Sequence, residues 1–596
     1  MEYTSKEVYE YVSNKSKDPI AERKKCRLSW QYFPIYQSDL EFYNKVSPTF
    51  EVDEQYAKEF LEKNSDVKDS FEYNDGKLKA KIPTPTLCPE ERERRRFSFM
   101  NNQYLYKRKI DNTGKQWISI FSPDKPYKVY DFDYWFSRDR NYEKVGNWDK
   151  NFEENLVHLL SNTPVAHKSW RWMFENSDYC NAVVNAKNSY MCFYGISLED
   201  CMYVYDGISN DANCVDCDTI NMSSFCYDCV ELKNCSALFH CTKCVNCHNS
   251  AYLQNCTWCH DCYNCINLVN QSYCINNKKY TKDEYQNALK EIKSYDKPEQ
   301  EKTMWCSQTE CENSYGDNYI WCKNCSFSNA LTNCENTKYS RDIPEMKNVY
   351  DGRWISSEFG LETWASGYTH NCLFVFVVLH SNNILYSQRC DNCDNLFGCI
   401  WLKDKSYCIY NKEYTKEEYN KIVPQIIAQM IRDKLRWEYF DPKFSYFWYN
   451  ESASMEYYPL TKEEALKMWY KRSDYESPFP KVEKFVPGEK LPKVGCKIIQ
   501  EKKPEFLSKL LNYAIVCEVT KKPFRITKQE VDFYIKHNLS LPTKHPEIRH
   551  QERLARKDPT IMHLIHCDEC GEEMLSVHLP WQWKKILCEK CFYKEF

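Results

Sequence analysis

Apolar and polar positions repeat on a period of three through the middle of the chain. From Cys214 to Cys274 thirteen cysteines are separated only by multiples of three, and the commonest unit is x-[Asn/Asp]-Cys, as in ANC, VDC, KNC and YNC. That period belongs to neither a helix nor a plain strand, whose side chains recur about every 3.6 and 2 residues. Asn and Asp accept left-handed or bridge conformations, so each triplet predicts a corner with its cysteine pointing inward. Repeated corners predict a solenoid with stacked cysteine and Asn ladders. SYCINNKKYTKDEY (Ser272 to Tyr285) recurs as SYCIYNKEYTKEEY (Ser406 to Tyr419), and Cys256, Cys259 and Cys265 match Cys390, Cys393 and Cys399 at the same offset. The middle therefore holds two such segments, each closed by a helix that starts at a Thr-x-x-Glu box, Thr281/Glu284 and Thr415/Glu418. Residues 425–475 predict an amphipathic, aromatic helical region with a further box at Thr461/Glu464, and SPFPKVEKFVPGEKLPK reads as a linker.

The two ends of the chain share a second pattern. Cys26, Phe33, Ile35, Phe42, Tyr43 and Lys45 match Cys517, Phe524, Ile526, Phe533, Tyr534 and Lys536 at one offset. The match resumes where PTLCPEERERRR from Pro85 parallels PTKHPEIRHQER from Pro542, and runs without a gap to Trp135 and Phe592. This predicts a duplicated end module. In the later copy Thr527 and Glu530 form a capping box, with Val531, Tyr534 and Ile535 on one helical face.

The strongest chemical signal lies in that later copy. Cys567-x-x-Cys570-Gly followed by Cys588-x-x-Cys591 is the spacing with which a hairpin brings four thiolates around zinc. Gly571 stands where the backbone must turn tightly. The N-terminal copy carries Ile110, Thr113, Asp131 and Tyr134 at the four positions, a set that cannot hold zinc. One copy dispenses with the metal, so its role is expected to be structural. The first half of each module resembles the treble-clef "probable zinc-ribbon" type, in which CxxC-G-K-x-F-x-x-T is followed by E-x-E-F-Y and C-P-x-C-R. Here Cys517 pairs with Thr520, and His545-Pro546 and Ile548-Arg549 replace the second knuckle, while the N-terminal copy keeps Cys26 and Cys88 with Ser29 and Glu91. Cys517, His545 and His550 form a candidate second metal set.

For the central cysteines three readings stand together: small apolar thiols filling a narrow core, an iron–sulfur run at Cys256, Cys259, Cys262 and Cys265, or clustered zinc thiolates aided by His240, His248 and His260.

Composition narrows the function classes. The 596 residues include 34 cysteines but only 13 glycines, and neither GxGxxG nor GxxxxGK[ST] occurs. No catalytic constellation emerges, since His158, His167 and His370 are isolated and no HExxH or nucleophile elbow is present. The N-terminus lacks an apolar run, and the longest apolar stretch, Cys372 to Leu379, is far too short to span a membrane. A cytoplasmic protein with reduced thiols is expected. Net charge is −4, so nucleic-acid binding would need local patches. Two basic arms supply them. Pro85 to Ile110 carries seven Lys or Arg against three Glu, and Pro542 to Lys557 five against two. Arg92, Arg94, Arg95, Arg96, Lys107, Arg108 and Lys109, with Arg549, Arg553, Arg556 and Lys557, are the candidate phosphate contacts, beside the stacking surfaces Phe97, Phe99, Tyr104 and Tyr106.

Taken together, CPExRxRR, SPDKPYKVY (Ser122 to Tyr130), the Asn/Asp-Cys lattice, NKxYTKxEY and the terminal ribbon resemble a family of long cysteine-rich zinc-ribbon proteins of candidate-phyla bacteria. The resemblance implies zinc and brings no activity with it. The expected fold is mixed α+β: an N-terminal metal-free ribbon-like module (1–145), two lattice segments closed by helices (146–295 and 296–424), a helical aromatic linker (425–505) and a C-terminal zinc-ribbon module (506–596). The expected function is non-catalytic binding of RNA, DNA or a ribonucleoprotein such as the ribosome, with no membrane and no small-molecule substrate. The alternatives are an assembly protein whose solenoid binds itself or other proteins, and a multi-metal or redox-active thiol protein.

Overall fold

The computed structural model describes residues 2–137, 150–207, 211–218, 224–227, 236–239, 247, 249–250, 253, 256, 258–291, 303–435, 437–491, 509–537, 540–580 and 584–594, apart from 102, 170 and 354–355. His240 and His248 lie outside these residues. In the two central segments nearly every third residue has a positive φ, as at Asn264, Asn267, Asn270, Tyr273 and Asn276, all between 51° and 56°. Four such corners make one coil. Asn382 faces Asp394, which faces Ser406, so parallel strands pair one coil apart every 12 residues. The result is two β-solenoids. Strands from Arg171–Glu175 to Ser236–Phe239, with His260–Tyr263 and Ser272–Ile275, build the first, and strands from Gln308–Thr309 to Ser406–Ile409 build the second.

The triplet works because each of its positions has a separate task. At the corner, Asn accepts the left-handed backbone, and its amide bonds the Asn one coil away: Asn313 to Asn324 at 2.9 Å, Asn324 to Asn336 and Asn336 to Asn348 at 3.2 Å. The next residue points inward. Ser387 Oγ donates to Leu385 O at 2.9 Å and accepts from Cys399 N–H at 3.0 Å. One coil on, Cys399 Sγ does the same with Phe397 O at 3.4 Å and Asn411 N–H at 3.4 Å. Cysteine and serine therefore share one role in the core. Cys399→Ser is expected to change unfolding free energy by less than about 1 kcal/mol, because both contacts survive. Cys399→Leu should cost about 1–3 kcal/mol by overfilling the coil. Urea unfolding checks both, and a Ser variant that fails to fold would give the thiol a role beyond packing.

Both solenoids close in the same way. Asn277 exchanges hydrogen bonds with the backbone of Ile266, and Asn411 with that of Ile400. A short antiparallel pair follows each (Ile275 with Lys278, Ile409 with Lys412), then the helices Lys282–Glu291 and Lys416–Arg432. Thr281 and Thr415 both form the expected caps with Glu284 and Glu418. Beyond residue 432 the aromatic region departs from the helical expectation. Among the described residues from there to 480, only Ala453–Tyr457 and Lys462–Lys467 are α-helical. Trp437, Tyr439, Phe440, Phe444, Tyr446 and Phe447 instead lie buried in a layer shared with the second solenoid and the N-terminal region. Burial of aromatic area outweighs helical propensity there.

The terminal regions cross over between the solenoids. In the N-terminal region, helix Pro89–Phe97 sits on the second solenoid, while strand Val129–Tyr130 pairs with Val165–Ala166 just before the first solenoid begins. In the C-terminal region, helix Pro546–Leu554 sits on the first solenoid, while strand Lys584–Leu587 pairs with Thr303–Cys306 at the entry to the second. No helix of the described residues is long and apolar enough to cross a membrane.

Candidate metal centre and the buried basic helices

Cys567 opens a tight turn in which its N–H donates to Glu572 O and its carbonyl accepts from Gly571 N–H, at 2.8 and 2.9 Å. Gly571 closes the turn at φ 71°, with Cys570 presented beside it. A strap bond from Asp568 N–H to Ile586 O, 2.9 Å, brings up the second knuckle, where Cys588 caps the helix Glu589–Phe592. The four sulfurs lie within 4.8 Å of one another, and Cys570 Sγ and Cys588 Sγ are 3.7 Å apart. Tetrahedral Zn–S bonds of about 2.3 Å place sulfurs about 3.8 Å apart, so the set fits zinc. Burial pushes the Cys567 thiol up, but backbone N–H groups of the two knuckles outweigh it and hold the group at about 7, favouring the ligating thiolate. Four cysteines leave no open position for substrate.

This hairpin caps the second solenoid. Asp317, inside the first coil, accepts from Trp305 Nε1 at 3.0 Å, Ser576 Oγ at 2.8 Å and Val577 N–H at 2.6 Å. Ser307 Oγ donates to Leu575 O at 2.8 Å. Nothing in the sequence marks Asp317 among the many carboxylates.

The same turn and strap recur at three other places. Cys26 bonds Gln31 and Trp30, Ile110 bonds Lys115 and Gly114, and Cys517 bonds Lys522 and Lys521, each within 2.8–3.1 Å. The straps are Arg27 to Thr86, Asp111 to Val129 and Glu518 to Thr543. Each leads to a helix capped by Cys88, Asp131 or His545. None gathers metal ligands: among the described residues, the Cys567 group is the one set of three or more that could hold an ion. The candidate second set is thus corrected. Cys517 Sγ accepts from Thr520 N–H, His545 Nδ1 accepts from Glu547 N–H, and His550 stacks on Tyr205 at 3.6 Å, near Asp218. The cysteines of the run at Cys256, Cys259, Cys262 and Cys265 face inward from different corners and form no such set either.

The basic arms are corrected more sharply. Arg92, Arg94, Arg95 and Arg96 are 2–8% exposed, Arg108 is 8% exposed, and Arg549 and Arg553 are 9% and 0% exposed. Arg92 and Arg96 share Asp351, at 3.0 and 3.3 Å, and Arg96 also faces Glu362. Arg549 and Arg553 share Asp216, and Arg553 Nε donates to Asp218 at 2.6 Å. Arg94 pairs with Glu91, Arg95 with Glu438, and Lys557 with Asp206. Arg108 donates to the carbonyls of Ser122, Lys125 and Tyr127. Arg92 and Arg96, and Arg549 and Arg553, fasten their helices onto solenoid carboxylates, and all seven buried arginines are closed to phosphate. Arg556 is half-buried, and Lys107 and Lys109 face solvent. The signal available in the sequence was the Arg-x-x-x-Arg spacing at Arg92/Arg96 and Arg549/Arg553, which puts both guanidiniums on one helical face.

Glu438 gives a pH test of this packing. Burial opposes its ionisation, but Arg95 and Arg27 outweigh burial and hold it at about 2. The folded value is depressed, so its stabilisation is complete above the unfolded carboxylate value and fades as pH falls toward 2. The native chain should lose on the order of 3 kcal/mol between pH 5 and 2 through this group. Glu438→Gln should flatten that limb of an acid titration, and identical limbs would remove the effect.

A cleft of about 2390 Å³ opens between the solenoids and the terminal regions, lined by Tyr104, Tyr203, Trp305, Arg341, Tyr457 and Phe524 among others. Its charges are largely paired, as in Arg353 with Asp342 at 2.9 Å and Lys462 with Asp474 at 2.8 Å. A scan against protein-family models finds no match to this chain, and a search of curated proteins finds none either.

Proposed function

We propose that the chain is a non-catalytic binding scaffold with one structural zinc, whose partner lies in the cleft between the solenoids. The observation that carries this reading is the closed Cys567/Cys570/Cys588/Cys591 set on a hairpin that extends the first coil of the second solenoid. A metal there stabilises a cap and has no position left for chemistry. We further read the four turn-and-strap units as copies of one unit, paired into two end modules, of which three replaced metal with packing. The cleft exceeds the roughly 300–1,000 Å³ typical of small-molecule sites, which favours an extended polymer segment. Its paired charges and aromatic walls favour polypeptide over nucleic acid. Self-association through strand edges is disfavoured at three ends, because the Cys567 hairpin covers the entry of the second solenoid and a hairpin and helix follow the last coil of each.

Nucleic acid stays as a second reading on one observation, the exposed Lys107 and Lys109 on the strand Tyr106–Lys109 beside Trp117. Binding of a labelled single-stranded RNA at low and high salt separates the two. The scaffold reading expects no retention that falls steeply with salt. Retention with the steep salt slope of several phosphate contacts, reduced by a Lys107→Glu/Lys109→Glu variant, would replace it with the nucleic-acid reading.

A further inference from the structure

Arg389 occupies a corner of the second solenoid at φ 55°, with 5% of its surface exposed. Phe376, one coil back, and Trp401, one coil on, lie over its guanidinium with ring centroids 5.1 and 4.7 Å away. Aromatic rings satisfy the faces of a guanidinium, but its five donors radiate from the edge. None of Nε, Nη1 and Nη2 has a hydrogen-bond partner. Its electrostatic neighbours among the described residues are the neutral phenols of Tyr446, Tyr194 and Tyr439, with no carboxylate. The buried Tyr439 hydroxyl also has no partner. Every other buried arginine described above has an acceptor, and Arg389 sits under the aromatic layer that holds Tyr439 and Tyr446.

We propose that Arg389 binds a small monovalent inorganic anion of the chloride class, held in the guanidinium plane beside Tyr439. A buried guanidinium left alone costs several kcal/mol, and buried charges are neutralised by a counter-charge. Water would satisfy donors without neutralising the charge. The guanidinium stays protonated at neutral pH, since burial lowers it only to about 10. Arg389 does not line the large cleft, so the anion is a buried structural ligand and not the partner proposed for that cleft.

Bromide tests the assignment on the full chain. Crystals grown with bromide in place of chloride should show an anomalous peak within about 3.5 Å of the Arg389 guanidinium nitrogens. In solution, chloride should raise the native melting temperature by several degrees over gluconate at equal ionic strength, and Arg389→Met, which keeps the stacked stem, should lose that increment. A guanidinium edge filled by water or a side chain with no halide peak overturns the proposal. So does an equal chloride response in native and variant. Should the variant not fold, the halide peak in the native chain decides alone.

Discussion

Asp351→Ala is expected to destabilise the chain by about 3–5 kcal/mol, the usual cost of removing one partner of a buried ion pair. Asp351 is 1% exposed and takes both Arg92 and Arg96, each 2% exposed, with Arg92 Nε 3.0 Å from both oxygens. Its loss leaves two buried guanidiniums with one carboxylate near them among the described residues, Glu362 at 3.5 Å from Arg96. The first consequence is local. Helix Pro89–Phe97 should lift from the second solenoid, exposing Phe97 where it packs at 4.2 Å on Trp364. Denaturant unfolding followed by tryptophan fluorescence reads both effects. An Asp351→Leu variant that also carries Arg92→Met and Arg96→Met should recover most of the loss, since apolar replacement of a whole buried cluster is often neutral. An Asp351→Ala chain with an unchanged midpoint would show that these arginines are solvated.

Cys588→Ser is the second large perturbation. Structural zinc in small ribbons contributes on the order of 10 kcal/mol to folding, far more than the short strands His563–His566 and Glu573–Ser576 supply unaided. The variant should lose zinc and open residues 563–594 to proteolysis. Damage should spread to the entry of the second solenoid, because Thr303–Cys306 loses its strand partner and Asp317 loses Ser576 and Val577. Amide exchange should rise in that first coil and stay low in the last, near Ser406–Ile409. A variant that keeps the hairpin protected without metal would contradict the assignment.

The solenoid was legible because its rule is local. A three-residue period with Asn or Asp before Cys states the corner and the inward position together, and the structure places Asn264 and Cys265 accordingly. The four-cysteine cluster was legible for the same reason, since knuckle spacing is a short-range constraint. The basic arms misled because composition does not say what a charge faces. Arg92 meets Asp351 across 259 residues and Arg553 meets Asp218 across 335. The crossing of each terminal region between both solenoids is equally non-local. The aromatic stretch after residue 432 failed as a helix because its rings are spent on tertiary burial, as with Tyr439 against Phe99 at 5.2 Å.

The central claim is that one structural metal caps a solenoid whose remaining thiols are packing groups. Native mass spectrometry of the freshly purified, reduced chain tests it most directly. The account predicts the polypeptide mass plus one zinc, reverting to the bare polypeptide in Cys588→Ser. Several metals per chain, an iron–sulfur cluster, or a Cys588→Ser chain that keeps its metal would contradict it.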